Sequence, residues 1–582
     1  MLAPDDRSWR EPPVEPARDR RPTAVTLAAL YASLVAVFIF YVSWTTVRDH
    51  FARPYGDDWR FLDELFAEQL GRWYLAPKNG HRMPLTLLLF ELDYRLGAHM
   101  HLLVGATLGC VWLTAGAVAS TWGRHGFRHP AFGFVVFALF WAAAYFALPW
   151  GTNQGATMAI MWLAVALAAL AHAERVRART NAGATGAFVA SGLAAIAATF
   201  SFGTGIATFA ALVVVSVLGR LPARVGAAYT AVGLVTAGAY AVGLEHVQGG
   251  TYLKLGPDPL RLLGVAVSFV GGAVGTTAGA LAGLDVDGRW RVSVAAGAAG
   301  LAVGLGHAAL VLRRGGPLGG AELLGFGLMT FSAVTGCLVA LGRSAFWDVG
   351  INSRFIAPST LFWMGLVAAM SSARPRFLPA VLLLLVSLAM LPAYREGRIE
   401  QARIREILDL TSVLHLLDLR ADAETRGTLV KKSPGQVYRV VDRLRHDRRA
   451  MFAETRAALA GTPLATHFRV DPAATCGGTA RVTRLVTRGR HGVRLGGHAN
   501  DPAAPPASIV VTDPDGIIRG LGVFTPLMHA RYAASAPPAD GVPYRGFIAD
   551  WDATKRYQVW AVRADGHTVC RIAMTVTGAP VS

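Results

Sequence analysis

The residues best suited to chemistry lie close together in RPYGDDWRFLDELFAEQLGRWYLAPKNGHRMPL, residues 53–85. The first sixteen residues of this stretch carry seven carboxylate or guanidinium groups. Asp57 and Asp58 form an acidic pair, able to take a proton from an attacking hydroxyl or to hold a cation. His81 and Arg82, in NGHR, add an imidazole that can bond a polar ligand and a guanidinium suited to gripping a phosphate through two hydrogen bonds. A plainer role competes with this one: either Asp can cap a helix over DWRFLDELFAEQL. One cap needs one Asp, so the second has no account.

Several other turns are polar in ways that connectors need not be. PWGTNQ (149–154) offers Trp150, Asn153 and Gln154, and FSFGTG (200–205) offers Ser201 and Thr204. LEHVQGGTYLKLGPD (244–258) adds Glu245, His246 and Lys254, and GRSAFWDVGINSRF (342–355) adds Arg343, Asp348 and Arg354. Taken singly, each is a solvated loop. Taken together on one side of a helical bundle, they form a polar rim where a polar substrate could sit.

The elements that must position these turns are membrane spans. The chain has 582 residues, 53% hydrophobic and only 16% charged, against about a quarter charged in soluble proteins. Its mean hydropathy is +0.39. Apolar runs long enough to cross a hydrocarbon core of about 30 Å recur from Ala24 to Met390. They cover approximately 24–46, 100–121, 131–149, 154–173, 184–199, 203–219, 225–244, 262–284, 289–312, 320–342, 355–372 and 376–393. The net charge of +18 comes from Arg and Lys gathered at span ends and in the C-terminal tail, so it does not indicate a nucleic-acid partner. Five arginines in residues 1–22, a segment expected to be disordered, place the N-terminus in the cytoplasm and loop 47–99 outside it. Counting every run as a span returns the C-terminus to the cytoplasm. The basic connectors LRRGG and SSARPR fit instead if one run between 262 and 312 is re-entrant, or if these runs hide a third crossing; an odd count, about eleven, is expected. The Gly and Ala residues there suit either close helix packing or a broken helix.

In the first loop, Phe61, Leu62, Leu65, Phe66 and Leu70 make one stripe of a helix, expected to lie on the bilayer surface. LTLLLFELDYRLGAH, with Glu91, Asp93 and Arg95, makes a second surface helix. After Tyr394, residues 395–464 are expected to form amphipathic helices. Residues 465–582 show short β-branched runs such as ARVTRLVT, SIVVTDPDG and RYQVWAVRADG between turn residues. A small extracytoplasmic β-sandwich follows, with Cys476 and Cys570 disulfide-bonded if the domain faces an oxidising compartment. Trp551, Tyr557 and Trp560 could stack on sugar rings, although the alternation in YQVW puts at least one in the core.

The sequence carries no phosphate-cradling G-x-x-x-x-G-K-[ST], no dinucleotide fingerprint and no C-x-x-C pair. The acidic pair in the first extracytoplasmic loop resembles the membrane glycosyltransferases of the GT-C superfamily. So do NGHR, the W…NQ turn, SRF before a late span, and the appended β-domain, whose GxHAxDP and VVTDPDGIIRGLG (496–522) resemble the small domain of bacterial multipass proteins tied to cell-surface polysaccharide. The resemblance covers the whole chain as a layout and rests on short motifs. It implies residence in the bacterial cytoplasmic membrane, a GT-C-like domain over 23–394, a polyprenyl-phosphate-linked sugar as donor and an extracytoplasmic glycan, lipid or protein as acceptor. Asp57 would be the general base, with Asp58 orienting it or binding a divalent metal ion. Arg354 first and Arg82 second would hold the leaving phosphate, and His81 could bond sugar or phosphate. Asn153, Gln154, Glu245, His246 and Asp348 complete the expected substrate-binding set, with Glu245 and Asp348 competing for the superfamily's second acidic position. The competing readings are a lipid-linked glycan polymerase or ligase, a flippase or transporter of envelope precursors, and a non-catalytic assembly protein.

Overall fold

A computed structural model describes residues 22–67, 74–77, 81–122, 129–144, 153–177, 181–242, 258–343, 355–371, 377–420, 434–485, 487, 490–501, 506–528 and 541–577. The disorder expected before residue 22 lies outside these. Helix α1 (Pro22–Arg48) leads to the first loop, which holds α2 (Asp58–Ala67) and α3 (Pro84–Arg95). The bundle continues with α4 (His101–Trp122), α5 (Pro130–Ala142), α6 (Gln154–Arg177), α7 (Asn181–Ser201), α8 (Ala207–Leu218) and α9 (Ala223–Ala241). It is completed by α10 (Pro259–Ala282), α11 (Val286–Arg314), α12 (Gly320–Arg343), α13 (Ile356–Met370) and the 40-residue α14 (Phe377–Leu416). Among the described residues, eight helices are long and apolar enough to cross a membrane, and three shorter apolar helices accompany them. The chain is a polytopic helical membrane protein.

Contacts at the two ends of the bundle fix the direction of each helix. The C-terminal end of α9 meets the first loop, where His81 Nδ1 lies 3.3 Å from the Tyr240 hydroxyl. Helix α11 starts on that same face, with Arg289 3.3 Å from Glu396, and ends opposite it, where Arg220 donates to Leu312 O. Helix α10 packs antiparallel to α11 so tightly that a Cβ on Gly271 or Gly297 would clash with the facing backbone at Ser293 or Val267. Small residues let these backbones touch. Both α9 and α10 therefore run toward the first-loop face, and residues 243–257 between them lie outside the described residues. Ala266 lies level with Gly336 of α12, so α10 begins about 13 Å inside the bundle relative to the start of α12. Neither α10 nor α11 is a broken helix.

Helix α14 passes through Pro392 and continues beyond the bundle without interruption, to Leu416. Pro392 withdraws one backbone donor, and Met390 O nearby takes a hydrogen bond from Trp141 Nε1 at 2.9 Å. The projecting part of α14 is clasped to the first loop. Buried Asp49 pairs with Arg48 at 2.8 Å, Arg398 at 2.5 Å and Arg405 at 3.1 Å, and Arg53 pairs with Asp409 and Glu454 at 2.9 and 2.7 Å. Next to this clasp, α2 buries Trp59, Phe61, Leu62 and Leu65 against Leu87 and Phe90 of α3 and against Val437, Val440 and Leu444 of α15 (Pro434–His446). Asp63 holds Arg439 through two bonds of 2.9 and 2.8 Å. The apolar stripe of α2, expected to lie on lipid, thus covers protein on the part of α2 that is described.

The C-terminal domain is a closed barrel, not the expected sandwich. Its strands are β1 (Arg469–Arg484), β2 (Gly492–Asn500), β3 (Ser508–Thr512), β4 (Ile518–Phe524), β5 (Val542–Ala549), β6 (Tyr557–Val562) and β7 (Thr568–Val576), in the order β1-β2-β5-β4-β3-β6-β7. The first and last strands pair in parallel and close the ring, a pairing that alternation within single strands does not reveal. Closure removes the open edges a sheet would otherwise present. Cys476 on β1 and Cys570 on β7 form the expected disulfide across this seam, with Cα atoms 5.6 Å apart. Val510, Leu521, Phe547 and Val562 of the barrel pack on Leu410, Val413 and Leu414 of α14 and on Leu417 just after it. Glu406 of α14 accepts the Leu527 and Met528 amides at 3.1 and 2.8 Å. The barrel and the first loop therefore share one face of the bundle.

Candidate functional site

Four separate segments converge at that face. His81, just before α3, stacks on Phe202 with ring centroids 4.4 Å apart and meets the Tyr240 hydroxyl. The Arg82 amide donates to the same hydroxyl at 3.2 Å, and Arg82 Nε donates to Tyr240 O at 3.0 Å. The rest of the Arg82 guanidinium bonds Leu75 O and Val242 O, so it satisfies carbonyls at the α9 C-terminus that have no helical partner. Thr86 Oγ1 donates to Ser201 O at 3.1 Å, tying α3 to the end of α7. Glycines permit this convergence. A Cβ on Gly203 would lie 2.6 Å from His81 Nδ1 and would clash with the Tyr240 hydroxyl, and one on Gly155 would lie 2.7 Å from Ser201 O.

Asn153 and Gln154 open α6 beside this group. Gln154 is fully buried. Among the described residues, neither of its amide atoms has a hydrogen-bond partner, and neither does Asn153 Nδ2. An unsatisfied buried amide costs roughly 1–3 kcal/mol per group, so polar atoms here favour a polar ligand or ordered water. Of the rim expected from sequence, the structure brings together His81, Arg82, Ser201 and the turn holding Asn153 and Gln154. Glu245, His246, Lys254, Asp348 and Arg354 lie outside the described residues, as does Trp150. Tyr240, which organises the group, went unnoticed because it sits inside an apolar run.

The acidic pair begins α2. Asp57 O accepts the Arg60 and Phe61 amides at 3.0 and 3.1 Å, which makes Asp57 the cap residue. Asp58 is buried, and its Oδ2 accepts the Tyr55 amide at 2.9 Å. The Asp58 carboxylate is therefore accounted for locally at the helix start, and Asp58 does more than the cap reading assigned it. Helix α3 separates the pair from α6: Leu87 and Phe90 face α2, while Leu85 and Leu89 face Cys110, Met158 and Met161.

Two charged groups on this face were not singled out from sequence. Hydrogen bonding from Arg48, with Arg405 and Arg398 beside it, holds the Asp49 carboxyl well below the usual carboxylate range despite burial. The signal was present, since Arg398 and Arg405 stand seven residues apart on one helix stripe. Asp93 accepts the Met100 and Leu102 amides at 2.9 Å each, and burial raises its pKa. His50 and His101 lie near it with ring centroids 4.5 Å apart. Burial lowers the pKa of His50.

Among the described residues, one group of three metal-ligand types is compact enough for an ion, namely Cys476, Asp501 and Cys570. Its cysteines are spent in the disulfide, and Asp501 is bonded by Arg563 at 2.9 Å, so it is not a metal centre. In the barrel, Trp551 stacks on buried Tyr557 at 4.5 Å, and Trp560 Nε1 donates to Thr512 at 3.0 Å.

Comparison with known proteins returns no match to a family model, a curated protein or a solved structure. The fold and the convergent turns define the class by themselves. This is a polytopic membrane protein with one polar face, covered by a helical segment and a disulfide-closed β-barrel.

Proposed function

We propose that the protein is a membrane glycosyltransferase of GT-C type, moving a sugar from a polyprenyl-phosphate carrier to an acceptor on the extracytoplasmic side. The observation that carries this reading is the convergence of four polar segments (81–86, 153–155, 201–205 and Tyr240) on the face that also bears the acidic pair and the C-terminal domain. The proposal includes eleven crossings, with the run of α10 re-entrant from the first-loop face. The N-terminus is then cytoplasmic and the barrel extracytoplasmic, where a disulfide persists.

In the reaction, the acceptor hydroxyl oxygen attacks the anomeric carbon and the bond from that carbon to the carrier phosphate breaks. The hydroxyl proton passes to the Asp57 carboxylate, and the electron pair leaves on the polyprenyl phosphate. General-base assistance of this kind contributes typically 10²–10⁴-fold. Asp58, bonded to the Tyr55 amide, positions Asp57. The departing phosphate develops charge that a guanidinium stabilises. Arg354 takes that role, because Arg82 already bonds carbonyls of the α9 terminus. His81, which precedes α3, bonds a sugar hydroxyl, and Asn153 and Gln154, across α3 from the acidic pair, bond a more distant part of the donor.

The experiment is photo-crosslinking in nanodiscs with a diazirine-bearing polyprenyl-phosphate sugar, followed by peptide mapping. Labelling on 81–86, 153–160, 201–206 or around Tyr240, displaced by unlabelled donor, is the expected result. Labelling confined to the barrel or to the opposite face of the bundle would overturn the proposal.

A further inference from the structure

The bundle carries a second site at its other end. A groove of about 670 Å³ runs between α7 and α9, open to the surroundings and lined by Phe188, Leu193, Ile196, Val225 and Val232. It extends from the first turn of α7 at Ala184 to Ile196, and from Pro222 to Val232 along α9. That is about 15–18 Å at 1.5 Å per residue, matching the half-thickness of a hydrocarbon core, about 15 Å. Its apolar end therefore lies near the bilayer centre and its other end at one membrane surface, the surface opposite the first loop.

Two arginines, Arg177 and Arg224, line the groove at that surface end. Their neighbours are occupied: Arg175 donates to Ala171 O and Ser120 O, Arg220 to Leu312 O, and Arg314 to Glu322 through two bonds. No hydrogen bond or ion pair of Arg177 or Arg224 is seen among the described residues, although half-buried Glu174 lies near enough to Arg177 for charge attraction. Each also exposes its side chain. Apolar walls one leaflet deep, ending at head-group level in two cations against one half-buried carboxylate, are complementary to a lipid with apolar chains and an anionic head.

We propose that this groove binds one anionic glycerophospholipid of the leaflet opposite the first loop, its acyl chain along α7 and α9 and its phosphate between Arg177 and Arg224. The site is independent of the sugar-transfer reading. It lies in the other leaflet, and it would stand if that reading fell. A transmembrane partner helix would fill the walls but would supply no anion between the two arginines at the surface.

The test is native mass spectrometry of the full chain released from nanodiscs containing equal phosphatidylglycerol and phosphatidylcholine. Wild type is expected to retain one phosphatidylglycerol selectively. Arg177→Gln/Arg224→Gln should weaken that retention about 30-fold, about fivefold for each arginine near an anionic surface. Gly192→Phe should weaken it similarly by filling the groove, because a Cβ there meets only the Tyr229 ring at 3.8 Å. Arg313→Gln, on the same surface but outside the groove, should match wild type. The double arginine variant alters two exposed side chains, so it keeps the test valid even if Gly192→Phe misfolds. Equal retention by wild type and the arginine variant would overturn the proposal, as would equal weakening by Arg313→Gln. So would a dimer that Gly192→Phe dissociates.

Discussion

Asp49→Asn isolates the clasp between the membrane bundle and the outer domain. The Asp49 side chain is 9% exposed and lies 2.5 Å from Arg398 and 3.1 Å from Arg405, both on the projecting part of α14. Asparagine keeps the shape but leaves two guanidinium groups without a counter-charge. Breaking a buried pair costs roughly 3–5 kcal/mol, while exposed pairs are worth roughly 0–1. Arg398 is 18% exposed and Arg405 32%, so the loss falls between these limits, at about 2 kcal/mol. At about 1.4 kcal/mol per tenfold, the clasp should open about 30-fold more often. Hydrogen exchange in nanodiscs reads this directly in the amides of 398–410. Arg48 is 60% exposed, and Arg48→Gln should leave those amides near wild-type rates. Because the Asp49 pKa is depressed, its contribution is complete above the ordinary carboxylate range and fades as pH falls below about 4. Unchanged exchange in Asp49→Asn, or an equal loss of protection throughout the bundle, would refute the reasoning.

Three further outcomes follow from the packing. His415 is buried between Trp59 and Tyr438, and burial, with Arg445 beside it and Asp418 opposing, pulls its pKa down to about 3. The folded state resists protonation, so the α14–α15 junction should be fully stable above about pH 6.5. It should weaken by up to about 1.4 kcal/mol per unit as pH falls toward 3, and His415→Phe should abolish that dependence in pH-resolved exchange of 437–444. Gly203→Ala would push its Cβ into His81 and the Tyr240 hydroxyl, an overpacking that costs about 1–3 kcal/mol. It should lower donor binding in a fluorescence titration while the bundle's helical circular dichroism stays constant. Cys476→Ser with Cys570→Ser removes the tie across the barrel seam, which spans a sequence separation of 94. Such a loss typically costs about 2–5 kcal/mol, and differential scanning calorimetry should show it in the barrel transition.

Much of the bundle was legible, because apolar runs of span length leave few alternatives to a helix. The described helices α4 to α13 fall where those runs lie. What a stripe covers was harder to read. Phe61, Leu62 and Leu65 have the spacing of a membrane-surface helix, yet they pack on α3 and α15, since an amphipathic face is the same whether lipid or protein meets it. The barrel was legible as strands and turns but not as a ring, since closure depends on β1 meeting β7 across nearly the whole domain. The last run, expected over 376–393, and the amphipathic helix expected after it are one helix, which packing carries through Pro392 to Leu416. Within the site, NGHR, NQ and FSFGTG were visible as polar interruptions of apolar sequence. Tyr240 and Asp49 were not, because their roles come from partners more than a hundred residues away.

Turnover tests the central claim most directly. The full chain in nanodiscs is incubated with a panel of polyprenyl-phosphate sugars and acceptor glycans, and release of free polyprenyl phosphate is followed for wild type, Asp57→Asn and Asp58→Asn. At least one donor should release its carrier, and Asp57→Asn should slow that release by about 10²–10⁴-fold with its fold intact. No release from any donor, or release at the wild-type rate in both variants, would contradict the assignment.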